Sequence, residues 1–275
     1  MMMRKRLTDK VNLMLDSGAF SSWRKGVDID LDRYIDYVKW RQGMVTTCIN
    51  LDVIPARFGQ KPSPQQVEES ATKGWENLIR MEDAGLNPMP VFHQGENYKW
   101  LDKMIEKYDY IGISPANDKV MFQRREWLDD VFSAITDSRG HPVVDTHGFG
   151  VTALTLMFRY PFTTCDSLTW LVIAIYGGIL VPPPFFDGKY DFTKPPFTIF
   201  TSSRQQSLKG VDAIDVLSVG VREYVENYLT YIEMDLDQVR IHYKGRCRAN
   251  LRYFKRVEEQ FRPVQFMYKR AKGFF

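Results

Sequence analysis

The residues able to do chemistry in this chain recur at one kind of place, just after short apolar runs. Leu15 leads into Asp16-Ser17-Gly18-Ala19-Phe20, and Leu51 leads into Asp52. Phe92 leads into His93-Gln94-Gly95-Glu96, and Ile113 into Ser114-Pro115. Val144 leads into Asp145-Thr146-His147-Gly148-Phe149-Gly150, and Cys165 into Asp166-Ser167. Two carboxylates in different surroundings can divide the roles of nucleophile and proton carrier. One chemistry open to such a pair is substitution at an anomeric carbon through a covalent glycosyl-enzyme. A third carboxylate such as Asp52 can accept both N–H groups of a guanine edge, and Gln94 can donate to its O6. Phe20 offers a face for stacking. Plainer readings stand beside these. Asp16 and Asp52 suit turn caps, and His93 and His147 suit hydrogen-bonded core histidines. Carboxylates with histidines also suit a divalent cation, but the spacing demands no metal.

The elements that must position these groups follow from the hydrophobic pattern. Val11–Leu15, Val45–Leu51, Met89–Phe92, Tyr110–Ile113, a run from Pro142 and Phe162–Cys165 read as strands. Between them, Leu31, Tyr34, Ile35 and Val38 keep the spacing of one helix face. So do Leu101, Met104, Ile105 and Tyr108, then Leu128, Val131, Phe132 and Ile135. Pro62-Ser63-Pro64 opens a long helix that Gly85 closes, and a short helix is expected from about Thr152. Strands alternating with helices predict a parallel sheet. Six such steps favour a (β/α)₈ TIM barrel over an open sheet, in which the carboxyl ends of the strands would share one mouth. Tyr176–Val181 and Thr198–Thr201 read as a β-hairpin insertion, and Leu217 to Leu229 as an amphipathic helix. Phe254, Val257 and Phe261 mark a closing, basic helical C-terminal region. The whole, residues 1–275, reads as a single domain.

Bulk properties narrow the class. Hydrophobic residues make up 44% and charged residues 26% of the 275 residues, enough for a sizeable core. Net charge is only +3, but from Arg240 onward eleven Lys and Arg face two Glu. A basic end on an acidic body suggests a polyanionic partner, the alternative being a solvated helix face. Cys48, Cys165 and Cys247 stand apart, with no disulfide framework or zinc spacing, as expected of a reducing cytoplasm. No signal peptide or membrane span is expected.

Asp16-Ser17-Gly18-Ala19-Phe20, Asp52, His93-Gln94-Gly95, Tyr110-Ile111-Gly112-Ile113, His147-Gly148-Phe149-Gly150 and Cys165-Asp166-Ser167 resemble, in this order, motifs of the tRNA-guanine transglycosylase superfamily. The resemblance spans roughly Leu13 to Trp170. It implies a (β/α)₈ barrel that exchanges guanine in a nucleic acid for a 7-deazaguanine. Asp166 matches the nucleophile and Asp16 the general acid/base. Ser17, Phe20, Asp52, Gln94, Gly95, Gly112, His147 and Gly148 match positions around the base, with His147 replacing a more usual methionine. Gly150 falls near the substrate backbone, and Arg246, Arg248, Arg252, Lys255 and Arg256 are the expected phosphate contacts. Two departures stand out. Ala19 replaces a usual glycine, and only Cys247 with nearby His242 stands where the tRNA enzymes gather zinc ligands. The phage-type enzymes that insert 7-deazaguanine into DNA are therefore the better match, with tRNA as the alternative substrate. Neither metal nor cofactor is implied. A metal-dependent barrel hydrolase or aldolase and a non-catalytic nucleic-acid-binding barrel remain the other classes.

Overall fold

A computed structural model describes residues 13–116, 118–203, 213–262 and 264–267. The expected strand residues Val11 and Asn12, and the basic residues Lys269, Arg270 and Lys272, lie outside the described residues. The protein is a mixed α/β structure whose chain forms two compact units, one drawn chiefly from residues 1–149 and the other chiefly from 165–267.

The first unit is built on two parallel sheets, with helices between their strands. Strand β1 (Met14–Leu15) pairs with β2 (Thr47–Ile49), and β2 with β3 (Pro88–Met89). Strand β4 (Val91–His93) pairs with β5 (Tyr110–Ser114), and β5 with β6 (Asp145–Gly148). A short β7 (Thr164–Cys165) completes the second sheet, and at its end the chain passes into the other unit. Every pair is in chain order, with no reversal of the kind that marks a doubly wound sheet.

The third expected strand is divided at Pro90. Proline has no N–H to give to a ladder, so β3 serves β2 on one side, where the Met89 carbonyl accepts from Asn50 N (3.0 Å). Past the break, the Pro90 carbonyl accepts from Gly112 N (2.8 Å) and the pairing moves to β5. The fifth strand starts later than its apolar residues suggest. Asp137 caps a tight turn by accepting from Arg139 N and His141 N, and Pro142 makes only an isolated antiparallel bridge to Thr136. The strand proper is Asp145–Gly148.

Helices follow the expected apolar stripes. Asp30 caps the helix Leu31–Arg41 by accepting from Arg33 N, and Tyr34, Ile35 and Val38 are its buried face. They pack with Cys48, Leu51, Met81 and Leu86. A capping box of Ser63 and Gln66, with proline in the first turn, opens Pro64–Asp83. Tyr98–Lys107 and Met121–Ile135 complete the set.

The second unit has its own core. The predicted hairpin forms as β8 (Gly178–Val181) against an antiparallel β9 (Phe197–Phe200). Its buried residues pack with Val225, Tyr228 and Leu229 of the helix Val219–Tyr231 and with Ala249, Tyr253 and Val257 of the helix Tyr243–Gln260.

Candidate functional site

In a parallel sheet all carboxyl ends lie along one edge. In the first unit the carboxyl ends of the strands of the two sheets carry Asp16 after β1, Asp52 after β2, His93 at the end of β4 and Ser114 at the end of β5. The loop that begins at Phe149 follows β6 there.

The most developed polar cluster at these strand ends joins Asp52, His93 and Glu96. His93 Nε2 lies 3.4 Å from Asp52 Oδ2, and His93 Nδ1 lies 3.1 Å from Glu96 Oε1. A turn makes the second contact possible. Glu96 N donates to the His93 carbonyl across Gln94 and Gly95, and Gly95 takes φ 111°, which side chains disfavour. Glu96 Oε2 then accepts from His93 N (3.0 Å). Asn50 braces Asp52 from the other side. It is 4% exposed, and its Nδ2 donates to Asp52 Oδ1 (3.2 Å) and to the Gly74 carbonyl (2.9 Å). A cavity of about 20 Å³ beside Asn50, Asp52, Gly74, His93 and Glu96 has room for a water-sized guest.

Electrostatics follow from this enclosure. Burial raises the Asp52 carboxyl above its ordinary value, and the facing imidazole and the Asn50 amide oppose that rise. Burial disfavours the His93 imidazolium, but the Glu96 and Asp52 carboxylates outweigh it and hold the ring's proton affinity well above the usual histidine value. With a carboxylate facing each ring nitrogen, His93 has no lone pair to give a cation. Among the described residues no group of three or more His, Cys, Asp and Glu has a metal-holding arrangement.

The other expected site residues are distributed as follows. Asp16 is exposed, and its charge is felt at the buried Tyr34 hydroxyl. Ser17 is buried, and its Oγ accepts from Ala19 N (3.4 Å). Gly18, at φ 75°, holds the left-handed position before the helix Ala19–Lys25, so Ala19 is a helical residue with ordinary backbone. Phe20 is 44% exposed and tilts against Trp23, which stands edge-on to the exposed Phe58. The Gln94 side chain is engaged by backbone: its Oε1 accepts from Ala116 N (3.0 Å) and its Nε2 donates to the Gln123 carbonyl (3.3 Å). Gly112 lies under Phe149, whose ring would stand 2.6 Å from a Cβ at that position. His147 is 4% exposed, meets Thr164 Oγ1 at 2.7 Å through Nδ1, and stacks edge-on against Phe149. Gly148 is buried at the end of β6.

In the second unit, Asp166 is exposed, and its Oδ1 accepts from Gly150 N (2.8 Å). Gly150 thus serves to orient a carboxylate. The basic helix corrects the expected set of phosphate contacts. Arg246 is 4% exposed and donates to the carbonyls of Ala174 (2.7 Å) and Val239 (2.8 Å), so it is a packing residue out of reach of a phosphate. Arg252 donates to the carbonyls of Ile232 and Glu233. Arg256 pairs with Glu259 and lies over the Tyr231 ring. Arg248 and Lys255 are exposed.

Sequence reasoning did not single out Asn50 and Glu96. The only signal was Glu96 three residues after His93 with a glycine between them. No protein-family model matches this chain, and no curated protein matches it either.

Proposed function

We propose that this protein is a (β/α)₈-type base-exchange transglycosylase that replaces guanine in DNA by a 7-deazaguanine. The observation that carries it is the row of Asp16, Asp52 and His93 at the carboxyl ends of parallel strands that follow one another in chain order. That is where barrel enzymes keep their chemistry. The residues in that row are also those that resemble the transglycosylase motifs.

The Asp166 carboxylate attacks C1′ of the nucleotide, the C1′–N9 bond breaks, and guanine leaves with a proton supplied by Asp16. The incoming 7-deazaguanine gives its N9 proton to Asp16, N9 attacks C1′, and the ester to Asp166 breaks. Two inversions retain configuration. The Gly150 N–H orients the Asp166 carboxylate by donating to one of its oxygens. Asp52 accepts N–H donors of the base, and the exposed Phe20, supported by Trp23, offers a stacking face. Access to C1′ requires an unstacked nucleotide. The lack of clustered zinc ligands around Cys247 favours DNA over tRNA.

The test is exchange of labelled guanine on duplex DNA and on tRNA, followed by trapping of the protein–DNA ester. Label entering DNA is expected, with Asp166→Asn giving no covalent adduct and exchange lowered by about 10³-fold or more, the scale of losing a covalent nucleophile. Label in tRNA alone would transfer the activity to RNA. Label in neither overturns the transglycosylase assignment.

A further inference from the structure

We propose that His93, Glu96 and Asn50 are positioning residues that hold Asp52 as a fixed carboxylate, making the site selective for a flat ligand edge with two adjacent N–H donors. The ligand rests on the guanine-exchange proposal. The clamp itself rests on geometry alone.

Asp52 and Glu96 side chains are 15% and 13% exposed and the His93 ring 32%. A carboxyl that far from water tends to take up a proton, and then becomes a donor where an acceptor is needed. The His93 ring faces Asp52 with one nitrogen and Glu96 with the other. Imidazole can donate from both nitrogens only as the cation. Glu96 is itself locked, since its second oxygen takes the His93 backbone N–H. Asn50 completes the clamp by giving one Nδ2 hydrogen to Asp52 and the other to the Gly74 carbonyl. One contact thus falls on each Asp52 oxygen. A carboxylate oxygen has two lone-pair directions, so one remains on each. That pair suits adjacent N–H donors such as the N1–H and N2–H of a guanine or 7-deazaguanine. Adenine presents a lone pair at N1 and would face a carboxylate lone pair there.

The titratable groups acting on the cluster come from three places. Asp52 follows β2, Glu96 lies in the turn after β4, and Tyr34 lies on the helix Leu31–Arg41. Burial, then Cys48, Asp16 and Asp52, raise the Tyr34 hydroxyl far above the phenol range, and it donates to the Ile49 carbonyl (2.7 Å). It therefore stays neutral. Glu68, Lys99 and Lys103, on the helices that flank the cavity, form a separate surface group around Trp100.

The experiment uses the full chain labelled with ¹⁵N-histidine, as wild type and as Glu96→Gln, a change that keeps size and fold. Wild-type His93 should keep both ring nitrogens protonated past neutral pH. Glu96→Gln should lower its midpoint by about one pH unit, a tenfold loss of proton affinity. In the exchange assay, KM for the free base should rise about tenfold in Glu96→Gln above that new midpoint and change little at pH 6, with kcat within about twofold, because only binding geometry is lost. Adenine should fail to compete. An unmoved His93 midpoint, or a KM profile that does not follow it, overturns the clamp. If wild type exchanges no base at all, the transglycosylase proposal fails while the imidazole titration still decides the clamp.

Discussion

At the scale of single residues, His93 and Gly112 each owe their importance to a partner distant in sequence, Asp52 and Phe149. His93 gains its proton affinity from Asp52 and Glu96. A group whose folded proton affinity exceeds its unfolded one stabilises the fold below its ordinary value of about 6.5, and loses that contribution as pH rises through the folded value. The destabilisation caused by His93→Gln, measured by urea unfolding, should therefore be larger at pH 6 than at pH 9. Asp52 acts in the same direction: burial raises its carboxyl, so its ionisation also opposes folding as pH rises. Equal destabilisation by His93→Gln at both pH values would contradict the imidazolium held between Asp52 and Glu96. Gly112 illustrates packing instead of charge. A methyl there would meet the Phe149 ring at 2.6 Å and Val91 Cγ2 at 3.1 Å. Gly112→Ala should cost about 1–3 kcal/mol in unfolding free energy, and adding Phe149→Leu should recover part of it. The sequence makes a small residue in a strand visible. It cannot say which ring fills the space.

At the scale of elements, the helix Pro64–Asp83 is the best specified part of the first unit and also holds the cluster in place. Its capping box is written in Ser63-Pro64-Gln65-Gln66 and is formed. Its carbonyl at Gly74 anchors Asn50, and its Asn77 Nδ2 donates to the Leu51 carbonyl (2.8 Å), next to Asp52. Ser63→Ala should lower stability by about 1 kcal/mol, the usual value of an N-cap, and a thermal melt checks it. The helix Tyr243–Gln260 teaches the opposite lesson. Its basic character is legible, but Arg246 faces inward and satisfies carbonyls of other elements. Arg246→Met should cost about 1–3 kcal/mol by leaving those carbonyls unpaired and should leave the salt dependence of DNA binding unchanged. A shallower salt slope in Arg246→Met would restore Arg246 as a phosphate contact.

At the scale of the molecule, the charge asymmetry has its exposed expression on that same helix. Lys244, Arg248 and Lys255 are all exposed, and their spacing of four and then seven residues puts them on one stripe. If this stripe meets a nucleic-acid backbone, affinity must fall steeply with salt, with a slope near −0.9 per phosphate neutralised. Replacing all three by Gln should weaken DNA binding at low salt and reduce the slope of log K against log salt by about two to three. Fluorescence anisotropy at several salt concentrations measures this, and an unchanged slope would place the DNA contact elsewhere. No helix among the described residues is long and apolar enough to cross a membrane.

The sequence by itself determined the alternation of strand and helix, the hairpin of β8 and β9, and the helix start at Ser63. It also placed polar residues at the strand ends. These follow from periodicity, capping and turn chemistry, which act between residues a few positions apart. The division of a strand at Pro90 was open to the same local logic, because a missing N–H is a property of one residue. Tertiary structure alone decided that His93 bridges two carboxylates, that Phe149 covers Gly112 and that Arg246 is buried. Each of those depends on a neighbour brought from dozens of residues away. A hydrophobic period fixes which face of an element turns inward, but the partner it meets there is chosen by the packing of the whole chain.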